Sequence, residues 1–188
     1  ERADRNKDRS VRRSKSNFRR HCLNLQVDRI ITLTTRENIK DRGKFHRLVK
    51  KWLRLCKNDL PELAGVAVFE RQKRGAFHLH LAVRGHYDVK LLRKHWIHVC
   101  DSGSVNIAFR RGRISKLIGY LSKYLTKGMS ETNRYVHRYL RTGYIPAARE
   151  REYRGSLEEL RDIFHAAYGE PQFVFNGGDW SWLWVEPD

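Results

Sequence analysis

The chain has little with which to staple itself together. Its 188 residues include three cysteines, Cys22, Cys56 and Cys100. They are odd in number, widely spaced and form no C-x-x-C pair. That excludes a disulfide framework and a structural zinc knuckle, and it points to a reducing compartment. Long apolar runs are missing too: no stretch approaches the roughly 20 residues a membrane helix needs. No signal-peptide pattern opens the chain, which begins at Glu1 rather than Met, as a processed or trimmed sequence would. A cytoplasmic protein with no membrane partner is expected. Internal repeats and low-complexity tracts are absent, and acidic charge is in short supply.

That last deficit carries the most information. Against 21 Asp and Glu stand 39 Lys and Arg, a net charge of +18. Such a field selects a polyanion. Nucleic acid fits better than an anionic membrane, because no helical stretch separates a broad apolar face from a Lys-rich one. Five Trp, eight Tyr and eight Phe supply rings that can stack on unpaired bases. The length suits one compact domain with a decorated end, burying roughly 70% of its unfolded surface.

The first twenty residues hold nine Lys or Arg, three acids and almost nothing apolar. Residues 1–28 therefore read as a basic arm, mobile or laid along a phosphate backbone. Order is expected from the β-branched run Arg29–Arg36, a strand. A helix follows from about Arg42 to Asn58, with Phe45, Leu48, Val49, Trp52, Leu53 and Cys56 on one face. Gly65–Arg71 and Ala76–Arg84 read as two strands of a hairpin turning at Gln72-Lys73-Arg74-Gly75. A second helix covers Val89–Val99 with Asp88 as its N-cap, and a short strand covers Val105–Phe109. A third helix runs from Ile114 to Lys127 and closes at Gly128.

This order predicts an α+β fold: an antiparallel sheet with a ferredoxin-like or RRM-like β-α-β-β-α-β core over residues 29–130, ending in the 114–127 helix. Residues 131–188 form an extension that is helical and aromatic in character. Helices are expected at 132–142 and 156–168, a strand at Phe173–Phe175, and a strand or aromatic platform at Trp180–Trp184.

Two short runs carry chemistry. In the strand Ala76–Arg84, Phe77, Leu79, Leu81 and Val83 alternate with Ala76, His78, His80 and Ala82. One face therefore packs, and the other offers two imidazoles at i and i+2. If the hairpin loop is Lys73-Arg74-Gly75, Glu70 pairs across from His78 and shares that face; a two-residue loop would turn it away. Two imidazoles and a carboxylate can hold a divalent cation with positions left open, and ligand type alone permits Zn²⁺, Mn²⁺ or Mg²⁺. His86 is a further candidate ligand, while His95 and His98 read as structural.

The second run is Tyr120-Leu121-Ser122-Lys123-Tyr124-Leu125-Thr126-Lys127. Ile114, Leu117, Ile118, Leu121 and Leu125 fill the apolar stripe of this helix, so Tyr120 and Tyr124 sit at its edge, i and i+4 on one side. Lys123 and Lys127 follow each tyrosine by three residues. An ammonium so placed favours a phenolate or grips a phosphate oxygen. Arg74, Arg110, Arg111, Arg113 and Lys116, basic residues flanking the two runs, are candidate DNA contacts.

Phe77-His78-Leu79-His80-Leu81 resembles the H-hydrophobic-H motif of the HUH endonucleases. Ile30-Ile31-Thr32-Leu33-Thr34 resembles the strand that opens their catalytic domain. Gly119 to Lys127 resembles the paired-tyrosine motif of phage and plasmid rolling-circle replication initiators, and Glu70 stands where related Rep proteins carry an acidic third ligand. The resemblance covers about residues 29–128. It implies a Mg²⁺- or Mn²⁺-dependent nickase acting on single-stranded DNA, often at an origin hairpin, with host helicase and polymerase as further partners. One tyrosine would form a 5′-phosphotyrosine link and free a 3′-OH, and the second would take the DNA in a later transfer. Glu70, His78 and His80 would hold the metal.

A two-tyrosine transposase of the Helitron or insertion-sequence type would share this chemistry but normally carries helicase or zinc modules, which this chain does not show. A relaxase has its tyrosine ahead of the histidines. A non-catalytic RRM-like binder or a basic ribosomal-type protein is the reading of another class. An RRM, however, displays aromatic rings on its central strands, where this chain has His78 and His80.

Overall fold

The structure, a computed structural model, describes residues 2–109, 114–127 and 138–147, together with 156, 158, 173–177 and 180–184. The chain forms two compact units, Glu1–Ala147 and Ala148–Asp188.

The first unit begins with helix α1 (Arg2–Leu25). Then come β1 (Arg29–Thr35), α2 (Arg42–Asp59), β2 (Gly65–Arg71), β3 (Phe77–Val83), α3 (Val89–Cys100), β4 (Gly103–Phe109), α4 (Ile114–Lys127) and β5 (Tyr139–Thr142). The strands make one sheet in the order β4-β1-β3-β2-β5, antiparallel at every step. β1 and β2 thus run parallel with β3 inserted between them, the split β-α-β arrangement of a ferredoxin-like core. The α+β reading holds.

One face of the sheet packs under α2 and α3. Phe45, Val49, Trp52, Leu53 and Cys56 are the buried stripe of α2, as their spacing predicts. Asp41 caps this helix by accepting from the Lys44 amide, and Asp88 caps α3 by accepting from Lys90 N at 2.8 Å. Trp52 and Trp96 are wholly buried here. Each indole N–H finds a carbonyl, Trp52 to Leu92 at 3.0 Å and Trp96 to Thr34 at 2.9 Å, so neither carries an unsatisfied polar group into the core.

The opposite face carries Ile30, Val66, Val68 and Ala82, and it packs under α4 and α1. The shallow side of β3 is therefore occupied by helices. This corrects the reading of residues 1–28 as a mobile or phosphate-bound arm: Arg2–Leu25 is helical. Phe18, Cys22 and Leu25, spaced i, i+4 and i+7, insert into this second core beside Leu117, Ile118, Leu121 and Leu125. A helix this polar draws its order from docking, not from its own composition.

A second correction concerns the helix expected at 132–142. Tyr139–Thr142 is a strand, paired Tyr139↔Val68 through Thr142↔Gly65 along the otherwise open edge of β2. Residues 132–137 and most of the helix expected at 156–168 lie outside the described residues. The expected division near residues 28 and 130 gives way to one between 147 and 148, because α1 and β5 both pack into the first unit.

In the second unit, β6 (Phe173–Gly177) and β7 (Trp180–Trp184) form an antiparallel pair, Phe173↔Trp184 through Gly177↔Trp180. Both were expected as extended segments. Among the described residues no helix is long and apolar enough to cross a membrane.

Candidate active site

The β2–β3 hairpin fixes the register on which the site depends. Gln72 N donates to Ala76 O at 2.9 Å, and Gly75 N donates back to Gln72 O at 2.9 Å. The loop is therefore Lys73-Arg74-Gly75, with Gly75 at φ +90°, where a side chain would be strained. It sets Glu70 directly opposite His78. His80, two residues on, lies between Val68 of β2 and Thr32 of β1. Glu70, His78, His80 and Thr32 thus share the face that α4 covers.

Their contacts form a connected cluster. His80 Nε2 lies 2.7 Å from Glu70 Oε2, and His80 Nδ1 lies 3.1 Å from Thr32 Oγ1. An ionised Glu70 can only accept, so Nε2 carries the proton it receives, and with a neutral ring Thr32 donates to Nδ1. If Nε2 gave up that proton to act as a ligand, Nδ1–H would donate to the same hydroxyl. Thr32 serves either tautomer without moving. Its role was missed in the sequence; the only signal was a threonine on the histidine-bearing face of β1, and the partner strand lies 48 residues away.

His78 differs. Among the described residues its Nε2 and Ser122 Oγ are the buried side-chain atoms with no hydrogen-bond partner. A buried polar atom left unpaired costs about 1–3 kcal/mol. Burial pulls the His78 pKa below its ordinary value of 6.5, the neighbouring His80 and Arg74 add to the shift, and Glu70 opposes it. The ring is neutral at pH 7, with a lone pair available. Proton NMR titration of the metal-free protein is expected to give a His78 midpoint below 6.5. A midpoint at or above that value would contradict the burial described here. The sign for stability follows: the unfolded chain holds more protons just below pH 6.5, so this residue's contribution falls as pH drops through that interval.

The phenols come from the helix above. The Tyr124 ring stacks on His80 with centroids 5.1 Å apart, and the Tyr120 ring sits 6.5 Å from His80 at a steep angle. Tyr124 Oη donates to Tyr120 Oη at 2.7 Å. Both rings are half-buried at the border of the α4 stripe, the position the spacing predicts. The imidazole pair and the phenol pair therefore meet in one place.

The other expected residues fare unequally. Lys116 and Lys123 are exposed on α4. The Lys127 side chain and Arg110, Arg111 and Arg113 lie outside the described residues. Arg74 spends its guanidinium on the protein itself, donating to Thr35 O at 2.8 Å, Arg36 O at 3.3 Å and Gln72 Oε1 at 2.9 Å. It ties the hairpin to the end of β1, a structural use the DNA-contact reading did not anticipate. His86 is exposed in the loop beyond β3, and His95 bonds Asp59 across α3 and α2 at 2.7 Å, a structural contact.

The donor set suits a hard divalent cation: two imidazoles, one carboxylate and an unpaired buried nitrogen. Among the described residues no three His, Cys, Asp or Glu side chains already converge as a cage. Glu70 is turned onto His80, and that hydrogen bond would have to open for both to act as ligands.

Gly119 precedes Tyr120 in mid-helix, where glycine weakens a helix. A Cβ added there meets nothing within 4 Å. Gly119→Ala is expected to raise stability by about 0.5–1 kcal/mol in urea unfolding; a loss of stability would contradict the open space.

A family model for the replication-associated protein ORF2 type matches residues 28–129, more than half of the chain. The match spans β1 to α4 and so takes in every residue of the cluster. No curated protein and no solved structure matches the chain significantly. With the ferredoxin-like core, the histidine strand and the paired tyrosines already in view, the chain belongs to this replication-associated protein family, Rep-type initiators of rolling-circle replication.

Proposed function

We propose that this protein nicks and rejoins single-stranded DNA at an origin, one presented by a hairpin, through a covalent tyrosine intermediate. The observation that carries the reading is the contact of Tyr120 and Tyr124 with each other and with His80. Core packing alone would not bring two hydroxyls together against an imidazole that is itself bonded to a carboxylate.

In this reading one phenol oxygen attacks the phosphorus. A P–O(Tyr) bond forms, the P–O3′ bond breaks, and the phenol proton is passed on overall to the departing 3′-OH. The other tyrosine can steady the attacking oxygen through the hydroxyl–hydroxyl contact and later accept the strand in its turn. His78, His80 and Glu70 would hold Mg²⁺ or Mn²⁺, which when bound polarises the phosphodiester and neutralises charge developing at its oxygens. Thr32 orients the His80 ring. Lys123, exposed one residue before Tyr124, is suited to meeting the phosphate chain.

The non-catalytic RRM-like alternative needs an open sheet face for stacking bases. Here α1 and α4 cover that face and α2 and α3 the other, which favours the nuclease.

The test uses single-stranded origin-derived oligonucleotides with Mn²⁺. A 3′-labelled strand should transfer its label to the protein on a denaturing gel, and a 5′-labelled strand should not. Chelation should abolish transfer. Labelling from the 5′ end would reverse the proposed linkage, and no labelling from either would remove the reading.

A further inference from the structure

Helix α1 carries a pattern that the nicking reading does not use. It contains seven arginines, and at 3.6 residues per turn all of them fall within an arc of about 120°. Arg5, Arg9, Arg13, Arg19 and Arg20 on this arc are exposed. The buried residues Phe18, Cys22 and Leu25 lie on the opposite side. Lys7, Lys15, Asp4 and Asp8 all fall outside the arc, so the segregation is of arginine, not merely of charge. A helix surface kept only for solubility would mix its lysines and arginines. Arginine alone offers a planar fork that grips a phosphate through two hydrogen bonds. Among the described residues none of the five exposed arginines is ion-paired with a carboxylate, so their counter-charge must come from outside.

We propose that the arginine face of α1 is a docking rail for the phosphate backbone of duplex DNA, the stem beside the strand to be cut. Phe18 is the only Phe, Trp or Tyr of the helix and it is buried, so the rail has no ring on which an unpaired base could stack. It can read backbone and not sequence. From Arg5 to Arg20 the row is about 22 Å long at 1.5 Å per residue. Duplex DNA rises about 3.4 Å per base pair, so the row runs beside six or seven of them. Because α1 packs on α4 in one apolar cluster, a stem held on this rail lies on the sheet face that carries the phenols. The helix also precedes the residues matched by the family, which begin at 28.

The identity of the duplex as a stem next to the nick rests on the proposed function; the duplex binding does not. Fluorescence anisotropy of the full chain with a short blunt duplex, measured across a salt series, tests it. R5Q/R9Q/R13Q should flatten the slope of log K against log salt by about 2–3, near 0.9 for each phosphate that is no longer neutralised. Label transfer to the protein from an unpaired oligonucleotide should stay unchanged. K50Q/K51Q/R54Q removes the same charge from the exposed side of α2, across the sheet, and should keep most of the wild-type slope. An unchanged slope in the α1 variant would overturn the proposal. So would an equal loss in the α2 variant, or single-strand affinity falling as far as duplex affinity. If the wild-type protein forms no covalent adduct yet the α1 variant loses its duplex slope, the nicking reading fails and the rail stands.

Discussion

Y120F/Y124F is expected to form no covalent adduct with a cleaved oligonucleotide, while each single replacement lowers the yield and leaves some. Phenylalanine keeps the ring, so the stacking on His80 at 5.1 Å and the packing against the α4 core survive. What is lost is the oxygen that would bond to phosphorus, together with the hydroxyl–hydroxyl contact, a hydrogen bond of about 1 kcal/mol at most. Stability should therefore barely change while attachment disappears. The single variant with the larger loss identifies the tyrosine that attacks first. Label still reaching the double mutant would point to a different nucleophile and remove the phenols from the mechanism.

His78→Ala and His80→Ala should each reduce metal-dependent cleavage by roughly 10²–10³-fold, the several kcal/mol that charge neutralisation at a phosphoryl oxygen supplies. DNA affinity should fall far less, because phosphate binding is spread over a chain of net charge +18. The two variants should also differ. His80→Ala strips Thr32 and Glu70 of their partner and the Tyr124 ring of its stack, so it should cost stability as well. His78→Ala removes a ring whose buried Nε2 is already unpaired, and it should cost less. Measuring cleavage against Mn²⁺ concentration separates the cases: cleavage at wild-type rates in either variant would rule that histidine out as a ligand.

How far these residues could be read from the chain depends on whether their neighbours are local. The hairpin is local. Its loop composition and the alternation in Phe77–Val83 together set Glu70 against His78, and the observed register agrees. The α2 stripe and the two Asp caps are local too, and both appear where the spacing puts them. Thr32 meets His80 only because β1 crosses from a distant part of the chain to pair with β3, and one strand's composition does not reveal its partner. The same holds for β5: Val136, Tyr139 and Leu140 mimic a helical repeat, and the free edge of β2 decides otherwise. Helix α1 was hidden for a different reason. Its order depends on three apolar residues among many charges, and that stripe has meaning only once α4 and the sheet provide a surface for it.

The floor beneath the tyrosine helix is made of Val66, Val68 and Ala82, all short and none of them reactive. Their bulk acts as a shim, setting how low α4 can settle and hence the gap between phenol and imidazole. A larger residue at Ala82 would prop the helix up like a wedge. Such a variant would keep every reactive group and still misalign them, so a dead enzyme could be traced to a methyl group that takes no part in the chemistry.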